Sequence, residues 1–217
     1  MAPVVILAHS DPGGKEALVR SWVKAHAPHL RLFPLVNNYN GHEKRWDSPA
    51  TASMLASTNG RANFIETVVS YATAGGFAGI VLDFQELPPL SYVDYLILVA
   101  ELSERLHAHS LQLLIAVPAA DANYGYARFA KWADALIVMG HDEHFETTDP
   151  GPLAGQGWFE AVLRDHFSAS TLVSSSSRSA ATDMIGQILA PARKSPSKRL
   201  GSYWSSPAAH WISIKPP

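Results

Sequence analysis

The sequence predicts an α/β protein built on a parallel sheet, and three observations carry that expectation. Short aliphatic runs recur along the chain, each closed by a turn, a polar cluster or proline. Segments with apolar residues three and four apart lie between them. The alternation repeats at roughly 25–35 residues, the span of a parallel βαβ unit. With 217 residues and 47% hydrophobic content, the chain has material for one globular core.

Val4 to Leu7 reads as the first strand, ending at the turn His9-Ser10-Asp11-Pro12-Gly13-Gly14. A helix is expected over Lys15–Ala27, with Leu18, Val19 and Trp22 on its apolar face. Leu30 to Val36 is a second strand, carrying Pro34 and opening into Asn37-Asn38-Tyr39-Asn40-Gly41-His42. Asn59 to Ala74 contains a helix whose stripe is Ala62, Ile65, Val69 and Ala72. The next strand leads to Asp83. Ser91 is placed to cap a helix reaching about Ala108 through Tyr95, Val99, Leu102 and Leu106. Leu111 to Val117 is a strand closed by Pro118, and Tyr124 to Trp132 a weaker helix in which Tyr124 and Tyr126 can serve as binding platforms or, as is commoner, as packing residues. Ala135 to Met139 is a strand ending in Gly140-His141-Asp142-Glu143-His144, and Trp158 to Phe167 is a helix. A strand beginning at Thr171–Val173 would bring the count to about six. Beyond Ser170 come the serine run Ser174 to Ser177, a Pro/Ser/basic segment from Pro191 to Lys198, and Trp204 and Trp211 without period. The expected division is a folded 1–170 and an irregular Ser/Pro-rich tail over 171–217.

Chemistry concentrates on the stretch from Gly76 to Pro89. Ile80 to Leu82 form a buried strand, and Pro88 and Pro89 stop it just after Asp83, Gln85 and Glu86. The C-terminal ends of parallel strands are where α/β sites are built. Strand parity points Asp83 and Gln85 to one face, and sends Phe84 and Glu86 to the other. Asn38, Tyr39, His141 and Asp142 also follow strand ends and can line the same mouth, as can His9, Asp11 and Asn37. His141 and His144 stand three apart on a turn, which favours a polar loop over a metal site. No metal or cofactor is expected.

A net charge of -2 offers no basic field for nucleic acid, and the absence of cysteine removes disulfide and thiolate-metal chemistry. The opening residues lack the basic and long apolar regions of a signal peptide, and no run of about 18 apolar residues spans a membrane. Compartment stays open on these grounds. The 21 aromatic side chains (six Trp, seven Tyr, eight Phe) suit a sugar-binding cleft and equally an ordinary core.

Gly79-Ile80-Val81-Leu82-Asp83-Phe84-Gln85-Glu86 resembles the Asp-Gly-x-Asp-x-Asp-x-Glu strand of family 18 glycoside hydrolases, the chitinase-like (β/α)8 barrels. Val138-Met139-Gly140-His141-Asp142 is similar to their later Met-x-Tyr-Asp strand, and Leu114-Ile115-Ala116-Val117-Pro118 to the strand between. Asp149-Pro150-Gly151-Pro152-Leu153 with Trp158-Phe159-Glu160 resembles the bacterial branch fused to a polysaccharide deacetylase and a family 2 glycosyltransferase. The likeness spans residues 4–170 and implies a TIM-type barrel. Being shorter than the typical barrel of about 250 residues, the chain is expected to be incomplete. The likeness also implies an N-acetylhexosamine polysaccharide or oligosaccharide as ligand, covalent fusion partners in a parent protein, and an extracytoplasmic or membrane-associated parent.

In the family's substrate-assisted reaction, a Glu protonates the glycosidic oxygen while the sugar's own acetamide carbonyl attacks the anomeric carbon. The Asp two residues earlier orients that acetamide. The resemblance gives Asp83 this orienting role and places Gln85 where the acid belongs. Glu86 is the adjacent carboxylate, of opposite parity. The family's Tyr falls at His141. Impaired or absent catalysis is therefore expected, with a non-catalytic glycan-binding module as the alternative. The tail departs as well: Ser174 to Gly186 can be encoded by bases that read KLVIALGSYGYDW, the family's next strand, in a shifted frame. A truncated, out-of-frame tail from about residue 171 is the reading this implies, with a non-functional product as a third possibility.

Overall fold

A computed structural model describes residues 4–7, 15–119, 121, 124–140, 143–144, 149–152, 154–169 and 211–214. Five strands run parallel in the order β1 (Val4–Leu7), β2 (Arg31–Asn37), β5 (Gly79–Asp83), β6 (Gln112–Pro118) and β7 (Ala135–Met139). The sheet curls into a half-barrel. β8 (Trp211–Ile214) closes its far side by pairing antiparallel with β7. That strand falls in the stretch expected to lack period. The strand anticipated at Thr171–Val173 lies outside the described residues, as does most of the tail.

β5 and β7 are buried throughout, because both sheet faces are covered. On the inner face Phe33, Val81, Leu114, Ala116, Ile137 and Met139 pack together. The other face carries Ile80, Leu82, Phe84, Leu113, Ile115 and Val138 against the helices. Alternation along each strand separates the two sets. The glycines that bracket the entry to β5 have distinct duties. Gly76 ends the preceding helix in the left-handed conformation at φ 63°. At Gly79 a Cβ would lie 1.9 Å from the Gln112 carbonyl oxygen, so only glycine lets β5 approach β6 there.

The long helices are α1 (Lys15–His26), α3 (Thr58–Gly75), α4 (Tyr92–Ala108) and α6 (Gln156–Ala169). α4 buries the stripe read from its periodicity: Tyr95, Val99, Leu102 and Leu106 are all inaccessible. Ser91 precedes α4 but makes no side-chain cap; a 3-10 turn over Pro89–Ser91 leads into the helix instead. α5 (Tyr126–Ala130) is shorter than expected, and Tyr124 and Tyr126 are buried packing residues.

The apolar stripe of α1 faces differently from the sequence reading, and that of α3, which buries Ile65, Val69 and Ala72 as read, departs at Ala62. In α1, Leu18 and Trp22 are outside, 70% and 56% exposed, while Glu16, Val23 and Ala27 face inward. The neighbour decides this: Tyr71 of α3 donates its hydroxyl to Glu16 Oε2 at 2.6 Å, and Arg20 stacks over Phe77. In α3, Ala62 is exposed and Arg61 is buried. Arg61 grips Glu101 of α4 through Nε at 2.9 Å and Nη2 at 3.2 Å, and donates to the Leu55 carbonyl at 2.8 Å. This paired guanidinium, each of whose three nitrogens donates a hydrogen bond, takes the place of an apolar contact.

Between β2 and α3 stand a hairpin and a helix that were not anticipated. A small antiparallel hairpin, β3 (Tyr39–Asn40) and β4 (Arg45–Trp46), rises from the C-terminal end of β2. α2 (Ser48–Ala56) follows, with Asp47 accepting from the Ala50 amide and Pro49 in the first turn.

Candidate active site

Asp83 is the last residue of β5 and only 5% exposed. It stands level with Asn37 across the β2–β5 register, while Pro118 pairs with Met139 at the ends of β6 and β7. Four strand termini thus converge on one mouth. Within it Gln85 donates from Nε2 to Asp83 Oδ1, as their shared parity requires. The same amide nitrogen lies 3.8 Å from Met139 Sδ, on the far side of the half-barrel.

Asn38 holds this pair in position. Its Nδ2 donates to the Gln85 carbonyl at 3.0 Å, and its Oδ1 accepts from the Gln85 amide at 2.9 Å. A buried side chain (9% exposed) therefore satisfies both main-chain polar groups of Gln85. Behind the loop, Tyr124 donates its hydroxyl to the Phe84 carbonyl, and Phe84 packs against Tyr95 and Phe64. Burial pushes the Tyr124 phenol far above its usual range, so it stays a donor. The Tyr95 phenol is raised too, first by burial and then by the nearby Asp83 charge. Tyr92, raised by burial and by donating to Asp121 at 2.9 Å, completes this aromatic backing.

Glu86 does not join the pair. It is exposed and sits at φ 53°, where the chain turns away from the strand line. Tyr39 is on the hairpin rim, 46% exposed. His141 and Asp142 lie outside the described residues, as do His9 and Asp11. Beyond them, Glu143 accepts from the Gly155 amide at the start of α6, and His144 Nδ1 lies 2.8 Å from the Asp149 carbonyl. These contacts fasten the loop after β7. Among the described residues no group of three His, Asp or Glu side chains has the spacing to hold a metal ion. None of the described helices is long and apolar enough to cross a membrane. Sequence reasoning listed Asn38 as a ligand contact and missed its clamp. The available signal was a polar residue directly after a strand that pairs with the site strand.

The sequence profile for glycosyl hydrolases family 18 matches residues 14–194. The chain belongs to glycosyl hydrolase family 18. Among curated relatives, an uncharacterized glycosylase, YvbX, of Bacillus subtilis is 24% identical over 144 residues, which cover 62% of this chain and 42% of that protein. A class V chitininase from Pseudomonas fluorescens superposes with a TM-score of 0.65 at 26% identity, over 71% of this chain and 50% of that one. A chitinase from Chromobacterium violaceum gives a TM-score of 0.68 at 23% identity, over 78% and 58%. The matches thus span about half the length of these relatives, in keeping with a half-barrel of the family's fold.

An amide at position 85 limits what this family-18 mouth can do. It can donate hydrogen bonds, but it has no ionisable proton to give a leaving oxygen. It donates instead to Asp83 Oδ1.

Proposed function

We propose that this chain is a family-18 domain that binds N-acetylhexosamine polymers of the chitin or peptidoglycan type, with little or no cleavage. The single observation behind this reading is the Gln85–Asp83 hydrogen bond. Asp83 ends β5, where a carboxylate that orients an acetamide would act, and the amide beside it lacks an acid proton. The likeness to the class V chitininase of Pseudomonas fluorescens, at 26% identity, supports the substrate class.

The test pairs binding with turnover on the same glycan. The unsubstituted chain is expected to bind an N-acetylglucosamine tetrasaccharide in calorimetry while releasing reducing ends at the blank rate. Gln85→Glu restores a general acid and should raise release by about 10²-fold. Absence of binding would sink the reading. Equal turnover in both proteins would place the acid elsewhere.

A second reading concerns the tail. We infer that the chain derives from the deacetylase and glycosyltransferase fusion branch and runs out of frame from about residue 171. The Asp149-Pro150-Gly151-Pro152 and Trp158-Phe159-Glu160 motifs and the coding compatibility of Ser174 to Gly186 support it. Sequencing the coding DNA across codons 165–190 decides this: codons incompatible with KLVIALGSYGYDW would end it.

A further inference from the structure

The outer face of α1 carries an uncharged stripe, Leu18, Ser21, Trp22 and Ala25, and all four residues are exposed. At 3.6 residues per turn, Leu18 and Trp22 stand roughly 200° and 240° round the helix from Glu16. Glu16 faces α3 through Tyr71, so the stripe occupies the flank of α1 away from α3. In a closed barrel each helix has a neighbour on both flanks, whereas α1 follows the strand that ends an open sheet.

Trp22 is held in place. His26 stacks on its ring, with centroids 5.1 Å apart and planes at 18°, and His26 Nδ1 lies 3.0 Å from the Trp22 carbonyl. A ring fixed before association loses little rotamer freedom when it is covered, which suits an interface anchor. The strand preceding α1 is open as well. β1 pairs with β2 on one side, and among the described residues its outer main-chain groups have no ladder partner.

The occupant that these features fit is a second copy of this chain. A two-fold axis normal to the sheet sets β1 antiparallel to its mate and lays the two α1 helices side by side in one layer. Strand edge and helix stripe are then satisfied together. An uncharged stripe meets its own copy without like-charge repulsion, and the small Ser21 and Ala25 leave room for a close helix. One strand edge and about three helical turns from each copy bury on the order of 1,000 Å² in all, the low end for a specific interface. The other exposed apolar stripe, Leu90, Val93 and Ile97 at the start of α4, has no such edge beside it, because β5 and β6 are paired on both sides.

We propose that the α1 stripe and the β1 edge form a two-fold interface between two copies of this chain, with Trp22 as its anchor. Sedimentation equilibrium tests it. The full chain should pass from monomer to dimer across the micromolar range. Trp22→Glu and Leu18→Glu each set two carboxylates against each other across the axis and should weaken the dimer by at least about tenfold. Both positions are exposed, so the circular dichroism of the monomer should stay as it is. Leu90→Glu, on the α4 stripe, should leave the dimer unchanged. Hydrogen exchange of the unsubstituted chain gives a second measurement: β1 amides should exchange more slowly as concentration rises, and those of the β3–β4 hairpin should not.

A mass that stays monomeric throughout overturns the proposal, as does a dimer that survives both charge substitutions. So does β1 exchange that ignores concentration. Loss of the dimer in Leu90→Glu would move the interface to α4, and growth beyond two copies would mean open edge-to-edge assembly. Either result overturns the two-fold interface.

Discussion

The two ends of the parallel sheet both carry part-buried polar networks, and they are wired to different purposes. At the N-terminal end, Asp134 Oδ2 accepts from the Leu113 amide at 2.9 Å and from His107 Nε2 at 2.8 Å. The Asp134 amide donates back to the Leu113 carbonyl at 2.8 Å, and Ser103 donates to the Trp132 carbonyl at 2.7 Å. These bonds tie α4 to β6 and to the turn before β7. At the C-terminal mouth, Asn38 takes up the main-chain groups of Gln85, so the side chains of Gln85 and Asp83 meet each other. The N-terminal network terminates in backbone and acts as a brace. At the mouth, one residue satisfies the backbone so that the side chains of two others are left to meet.

Substitutions at each end should separate stability from binding. The largest stability loss is expected at the brace. Asp134→Ala strands the Leu113 amide and removes the partner of the half-exposed His107, costing about 2–3 kcal/mol in denaturant unfolding and leaving glycan affinity intact. Asn38→Ala should cost about 1–2 kcal/mol, since two main-chain bonds are lost at a partly solvated loop. Unlike the brace variant, it should also weaken glycan binding by roughly tenfold, because a loose Gln85 loop no longer holds Asp83's partner. If both variants affect binding alike, the division of labour fails. Ser103→Ala removes one buried hydroxyl contact and should cost about 1 kcal/mol, with glycan affinity unchanged.

Alkali gives a further, smaller contrast. Tyr92, Tyr124 and Tyr126 back the mouth, and burial raises all three phenols above their ordinary value. A raised folded pKa means the folded state keeps its protons longer than the unfolded chain does. The resulting stability is complete below the unfolded phenol value near 10 and declines as pH rises above it. Thermal melts at pH 9 and 11 should show this decline, and Tyr92→Phe should flatten it. A Tyr92→Phe slope matching that of the unsubstituted chain would remove burial of this phenol as its cause.

The fold class was legible because its evidence is local. A buried parallel strand needs a continuous apolar run, and β5, β6 and β7 stand where such runs are. Parity likewise placed Asp83 with Gln85 and apart from Glu86. α2 had a readable start in Asp47-Ser48-Pro49, but its low amphipathicity hid it. The two-residue strands of the hairpin are too short for any period to register.

By itself the sequence determined the strand runs, the α4 stripe, the chemistry available at position 85 and the family motifs, since each depends on residues close in the chain. Only tertiary structure decided that Glu16 and Arg61 face inward, because their partners Tyr71 and Glu101 are 55 and 40 residues away. It alone turned Asn38 into a clamp on Gln85, 47 residues on. Periodicity counts apolar faces, whereas a buried polar group goes where a distant hydrogen-bond partner satisfies it.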